Sequence, residues 1–288
     1  MRMAMTRLRS ADIAEISAGL KAYDEELISK TGKTLRGIAC YAVELNEEDV
    51  VGRISHVRIG VVPVHWGHGL IGGFSETTRD ILNHIGFQVF VTKQSDVTGL
   101  SEAVDKHADI IFMADDNCFV ALNLECRRVV HNADATGKGF LAGLNLMAGG
   151  LQGQAVLVIG SGAVGSSAAR ALLNYDAKIS VYDSDHFRSR ELARILDKKF
   201  NIQIKIETEL KSGLAQHRFW VEATNSANII HGHDLTPTTY IAAPGMPLGL
   251  SRDATHKVSR RIIHDPLQIG VATMGLEALK QTLTENGF

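Results

Sequence analysis

Gly160-Ser161-Gly162-Ala163-Val164-Gly165 follows the apolar run AVLVI and precedes SSAARALLNY, a helix-forming stretch. A G-x-G-x-x-G pattern is weak in isolation and gains meaning between a strand and a helix. The first glycine makes the tight turn, the second lets backbone approach a pyrophosphate, and the third packs helix closely on strand. The amide groups and dipole at the start of the following helix favour phosphate oxygens. KISVYD then reads as the next strand, with Asp183 at its end. A carboxylate there accepts hydrogen bonds from ribose hydroxyls and repels a 2'-phosphate, which predicts NAD rather than NADP. Arg188 and Arg190 are the nearby cations that would argue for NADP. A purely structural turn is the competing reading.

Other constellations carry less. Asp115-Asp116-Asn117 follows the apolar run IIFMA. Open α/β sheets place ligand-contacting residues at such strand ends, although a helix N-cap would have the same composition. Ser75-Glu76 follows Gly72-Gly73 and reads equally as a cap or a contact. His65-x-x-His68 and His231-x-His233 have metal-like spacing but no companion carboxylate or cysteine, so no metal is expected. Cys118 reads as a small apolar residue, since no activating base stands beside it in sequence.

The elements that must position these groups alternate between two periodicities. Residues 59–64, 88–92 and 110–114 read as short buried strands, with helices over 75–84 and 102–107. Ile13, Ile16, Leu20, Tyr23 and Leu27 form one stripe of a helix over 10–30, with Ser10 as its N-cap. A helix from about Gly139 to Ala148 ends at Gly149-Gly150. Strands over 155–160, 178–183, 202–207, 218–224, 239–245 and 261–266 follow, with a helix over 189–200 and a tail helix over 270–284. The expected fold is α/β: a substrate domain over 1–150, a Rossmann-type doubly wound dinucleotide domain over 151–268, and a docking helix over 269–288.

Composition narrows the function classes. A net charge of -2 argues against nucleic acid, whose phosphates demand a basic excess. Three cysteines without a C-x-x-C pair suit a reducing cytoplasm rather than a disulfide scaffold. The uncharged stretch 139–169 is long enough for a membrane span, but its eight glycines and its Asn145, Gln152 and Gln154 make a poor lipid-facing helix. The basic head lacks an apolar segment behind it, so no secretory signal is expected.

Six blocks, laid side by side, resemble one family. GVVPVHWGHGLIGGFSE (60–76), MADDNCFVALNL (113–124), HNADATG (131–137), VEATNSAN (221–228), APGMPLGLS (243–251) and DPLQIGVATM (265–274) look like those of the pyrrolysine-biosynthesis dehydrogenases. The blocks occur in family order and cover most of the chain from about residue 30. This sequence departs from the pattern at His65, Trp66 and His68, where the family carries small polar residues, and in the charged segment 46–56.

The resemblance implies a small-molecule substrate, lysine whose ε-nitrogen carries a 3-methyl-D-ornithyl group in amide linkage. NAD would take a hydride from the carbon bearing the ornithyl side-chain amine, giving an imine. Hydrolysis would release ammonia, and the ornithyl α-amine would close the pyrroline ring on the resulting aldehyde. By the same resemblance, Asp115 would hold the reacting amine and manage protons, and Ser75, Glu76 and Asn132 would hold polar ends of the substrate. Thr224, Pro244 and Gly245 would border the nicotinamide; the amphipathic stripe of the N-terminal helix separately suggests a lid over the lysine end. A homodimer is compatible with this reading. The alternatives are a shikimate-type or methylene-tetrahydrofolate-type dehydrogenase, or an NAD(H)-sensing module without turnover.

Overall fold

Short aliphatic runs bounded by turn residues build two separate sheets in the computed structural model, which describes residues 8–66 and 71–285. The chain forms two compact units. One extends to Ile28, covers Lys33–Ala135 and resumes at Leu267, and the other comprises Ser29–Gly32 and Thr136–Pro266.

The first unit opens with α1 (Ser10–Ile13) and α2 (Ile16–Thr31). The expected single helix is therefore broken at Ala14-Glu15, and Ser10 is its first helical residue rather than its cap. The Asp12 carboxylate instead accepts the Arg9 amide proton at 2.7 Å, so the acid three residues on does the capping. Ile13, Ile16, Leu20 and Leu27 of the stripe are buried. Helix α3 (Leu35–Ala42) starts on Thr34, whose hydroxyl accepts from the Gly37 amide. Helix α4 (Glu47–Ile54) starts on Asn46, which accepts from the Glu48 amide.

Strand β1 (Arg58–Val62), helix α5 (Phe74–His84), strand β2 (Gln88–Val91), helix α6 (Asp96–Asp105) and strand β3 (Ile110–Ala114) form a parallel crossover set. Gly73, with φ 82°, holds the N-cap position of α5, which places Ser75 and Glu76 in the first helical turn rather than at a cap. Strands β4 (Phe119–Asn123) and β5 (Arg128–His131) then run antiparallel to their neighbours, giving the order β2-β1-β3-β4-β5. Helix α7 (Asn132–Ala148) begins seven residues earlier than the sequence suggested. It ends on Gly149 and Gly150, whose φ values of 71° and 119° suit glycine.

The second unit is doubly wound. Strand β6 (Ala155–Ile159), α8 (Ala163–Ala171), β7 (Lys178–Tyr182), α9 (His186–Phe200), β8 (Lys205–Ile206), α10 (Leu210–Gln216), β9 (Phe219–Glu222), β10 (Tyr240–Ala242), α11 (Arg252–Lys257) and β11 (Ile262–Ile263) follow in order. The strands are all parallel and arranged β8-β7-β6-β9-β10-β11. Numbered within the unit this is 3-2-1-4-5-6, the dinucleotide-binding order, with its reversal point between β6 and β9. Leu157, Ile159, Trp220, Ile230 and Ile241 lie in its core.

Helix α12 (Gln268–Glu285) returns to the first unit and packs on α3, α5, β4 and β5. The Asn123 side-chain amide donates to its Ala278 carbonyl at 2.9 Å. Among the described residues no helix is long and apolar enough to cross a membrane.

Candidate dinucleotide and substrate sites

The three glycines of the turn stand in three different environments. Gly160 has φ 93°, and a Cβ there would press on the Ala223 carbonyl at 2.8 Å. A Cβ on Gly165 would overlap the Gly160 carbonyl oxygen, so α8 lies directly against the turn. A Cβ on Gly162 would meet nothing within 4 Å, and no side chain caps α8 at this residue. Space and unpaired helix amides thus coincide where a pyrophosphate needs both. The Ser161 hydroxyl, on a residue 6% exposed, is buried without a hydrogen-bond partner among the described residues. Ala163 and Val164 form the first helical turn.

Asp183 is 8% exposed at the end of β7. Its Oδ2 accepts the Ser161 amide proton at 2.7 Å and its Oδ1 accepts that of Asp185 at 2.9 Å. The carboxylate therefore fixes the glycine turn from behind and keeps lone pairs for ribose hydroxyls. Arg188 lies 3.4 Å from Asp185, which engages one of the cations that a 2'-phosphate would need. These residues fit a dinucleotide, with Asp183 on the adenosine half.

Thr224, Pro244 and Gly245 follow β9 and β10 on the other side of the reversal point. Behind them stands Glu222, wholly buried, which the sequence reading passed over although it lies in one of the quoted blocks. Its signal was a lone acid in an otherwise apolar strand. Burial pushes its pKa up, and hydrogen bonds from Thr224 and Gly249 act against that.

In the first unit, Ser75, Glu76, Asp115 and Asn132 all fall at one end of the five-stranded sheet. The parallel strands β1 and β3 end there, and β5, twice reversed, ends there too. Asp115 occupies the turn between β3 and β4 rather than a helix start. Its Oδ1 accepts the amide protons of Asn117 and Cys118 at 2.8 and 2.7 Å. Among the described residues Oδ2 accepts none. Phe74 meets Phe119 edge-on at 5.2 Å, which brings the start of α5 against the start of β4. Ser75 is buried, Glu76 is exposed, and the Asn132 amide donates to the Met274 sulfur, a weak acceptor, at 3.4 Å.

A base does stand beside Cys118 in space, contrary to the sequence expectation: His131 Nδ1 is 3.7 Å from its sulfur. Burial and the Asp115 charge push the thiol pKa up, so it remains protonated at neutral pH. His65 pairs with Asp96 at 3.4 Å, and the rings of His231 and His233 stack at 5.5 Å. Gly67, His68 and Gly69 lie outside the described residues.

The sheet order and the glycine turn define a Rossmann-type α/β fold of the dinucleotide-binding class. Solved structures of shikimate dehydrogenase from Aquifex aeolicus and 5-ketofructose reductase of Gluconobacter sp. strain CHM43 share the fold, each with a TM-score of 0.51. The former is 15% identical and covers 78% of this chain and 91% of its own. The latter is 16% identical and covers 81% and 99%. Residues 12–130 match the model of the pyrrolysine biosynthesis protein PylD N-terminal domain, and residues 129–239 that of the alanine dehydrogenase/PNT C-terminal domain. Pyrrolysine synthase of Methanosarcina acetivorans is 31% identical over 273 residues, covering 94% of this chain and 98% of the relative. That of Methanosarcina barkeri is 31% identical over 278 residues, covering 95% and 98%. The chain belongs to the pyrrolysine synthase family.

Proposed function

We propose that the protein oxidises the ornithyl side-chain amine of 3-methyl-D-ornithyl-N6-L-lysine with NAD, releasing ammonia and closing the ring of pyrrolysine. The observation that carries this reading is Asp115, held by two backbone donors on Oδ1 with Oδ2 left for a ligand, in a chain of this family. Bound NAD supplies the hydride acceptor.

The carbon that bears the amine releases hydride only when the nitrogen lone pair is free to form the C=N bond. The ammonium must therefore lose a proton first, and Asp115 Oδ2 binds the ammonium and receives that proton. Water adds to the imine, ammonia leaves, and the α-amine condenses with the aldehyde, losing water as the pyrroline forms. The Ser75 hydroxyl and the Asn132 amide hold the polar ends of the dipeptide, with Glu76 beside them. The N-terminal helices cover the lysine end. Asp183 holds the adenosine ribose and selects NAD, in the cytoplasm.

Asp115→Asn tests the assignment. The amide oxygen still accepts from Asn117 and Cys118, so the turn persists while the proton acceptor is lost. Turnover, followed as NADH absorbance with the dipeptide, should fall at least ~100-fold, and NADH affinity should stay unchanged. Undiminished turnover would remove Asp115 from the mechanism.

A further inference from the structure

Glu222 ends β9 with 0% exposure, and each hydrogen bond to its carboxylate comes from a donor. The Thr224 amide and hydroxyl donate to Oε1 at 2.9 and 2.6 Å, and the Gly249 amide donates to Oε2 at 3.0 Å. The backbones of Gly245 and Gly249 also lie close against it. A Cβ on Gly245 would stand 2.7 Å from Oε2, and one on Gly249 would stand 2.6 Å from Cδ. The side chain thus clasps the segment after β9 to the segment after β10. Two backbone amides and the Thr224 hydroxyl thus converge on the two oxygens of one buried side chain.

In a sheet of this order the pyrophosphate sits at the β6 turn, the adenosine lies toward β7, and the remaining half of the dinucleotide lies toward β9 and β10. We infer that Glu222 is a positioning residue for the nicotinamide half of the cofactor, acting through Thr224 and the Gly245–Gly249 backbone. This deepens the NAD reading above and rests on it.

Glu222→Gln keeps the shape but offers one acceptor oxygen. Whichever way its amide turns, an N–H group faces either Gly249 or Thr224 donor-to-donor, and one segment is released. ADP-ribose separates the nicotinamide ring from the rest of the cofactor, because it keeps both riboses and the pyrophosphate, the parts assigned to Gly160–Gly165 and Asp183, and lacks only the ring. For Glu222→Gln we expect NADH affinity to fall ~10-fold while ADP-ribose affinity stays within ~2-fold of the parent, both read by titration. Glu222→Asp keeps the carboxyl group but is one methylene shorter, so it cannot reach both Thr224 and Gly249, and should give the same split at ~3-fold; it decides the matter if Glu222→Gln does not fold. Equal weakening of both ligands would reduce Glu222 to a part of the fold and overturn the inference, as would unchanged binding of both. A parent protein that binds neither ligand would overturn the NAD reading, and this inference with it.

Discussion

At Gly162 and Gly165 the same added methyl group meets opposite surroundings. Gly162 opens onto space, whereas the methyl of Gly165→Ala would collide with the Gly160 carbonyl. Gly162→Ala should therefore leave stability within about 1 kcal/mol of the parent, since only an N-cap glycine is changed. Its methyl would occupy the space assigned to the pyrophosphate, and NADH affinity should fall at least ~10-fold. Gly165→Ala should cost about 3 kcal/mol or more in denaturant unfolding, because helix and turn cannot part without losing the packing behind them. Equal stability of the two variants would contradict the distinct roles assigned to the two glycines. Glycine positions of this kind are legible in sequence because a backbone requirement leaves a single acceptable residue. Asp115 was legible only as one acid at a strand end. The orientation of its carboxylate depends on a turn closed by Cys118, and no spacing rule reports that.

Helix α6 shows how an element is pinned by charge. Glu102 accepts the amide protons of Lys93 and Gln94 at 3.1 and 2.8 Å and an ion pair from Lys106 at 2.6 Å. These donors, the Lys106 contact foremost, hold its pKa down to about 2. A depressed folded pKa contributes stability above the ordinary carboxylate value, and that contribution is lost as the pH falls through 2. Glu102→Gln should thus melt below the parent at pH 7, with the gap narrowing from about pH 4 downward and closing near pH 2. A gap that persists at pH 2 would assign the effect to shape instead of charge. The parallel strands β1, β3, β6 and β7 were legible because both faces are buried and the sequence runs aliphatic. Strands β4 and β5 were not, since their burial alternates or covers one residue in four, and short edge pairing follows the neighbouring strand rather than the segment itself. Helices α3, α4, α10 and α11 are each eight residues or fewer, too short for a repeating stripe to register.

At the scale of the whole molecule, the choice of dinucleotide becomes a statement about stability. A ligand that binds only the folded chain stabilises it by mass action, about 2.7 kcal/mol at a hundred times Kd. The residues proposed to hold the dinucleotide all belong to the second unit, so the transition that NADH should raise is the one in which β6, β7 and the glycine turn unfold. The expected rise is roughly 5–10 °C for a unit of this size. NADPH carries a dianionic phosphate to the ribose that Asp183 would hold, with Arg188 already paired to Asp185. Placing that phosphate beside a buried carboxylate opposes binding, so the same concentration of NADPH should raise the melting temperature far less. Asp183→Ser should narrow the difference by removing the repulsion, while weakening the hold on Ser161 in both complexes. Equal shifts with NADH and NADPH in the parent would show that Asp183 serves the turn alone and that cofactor choice is made elsewhere.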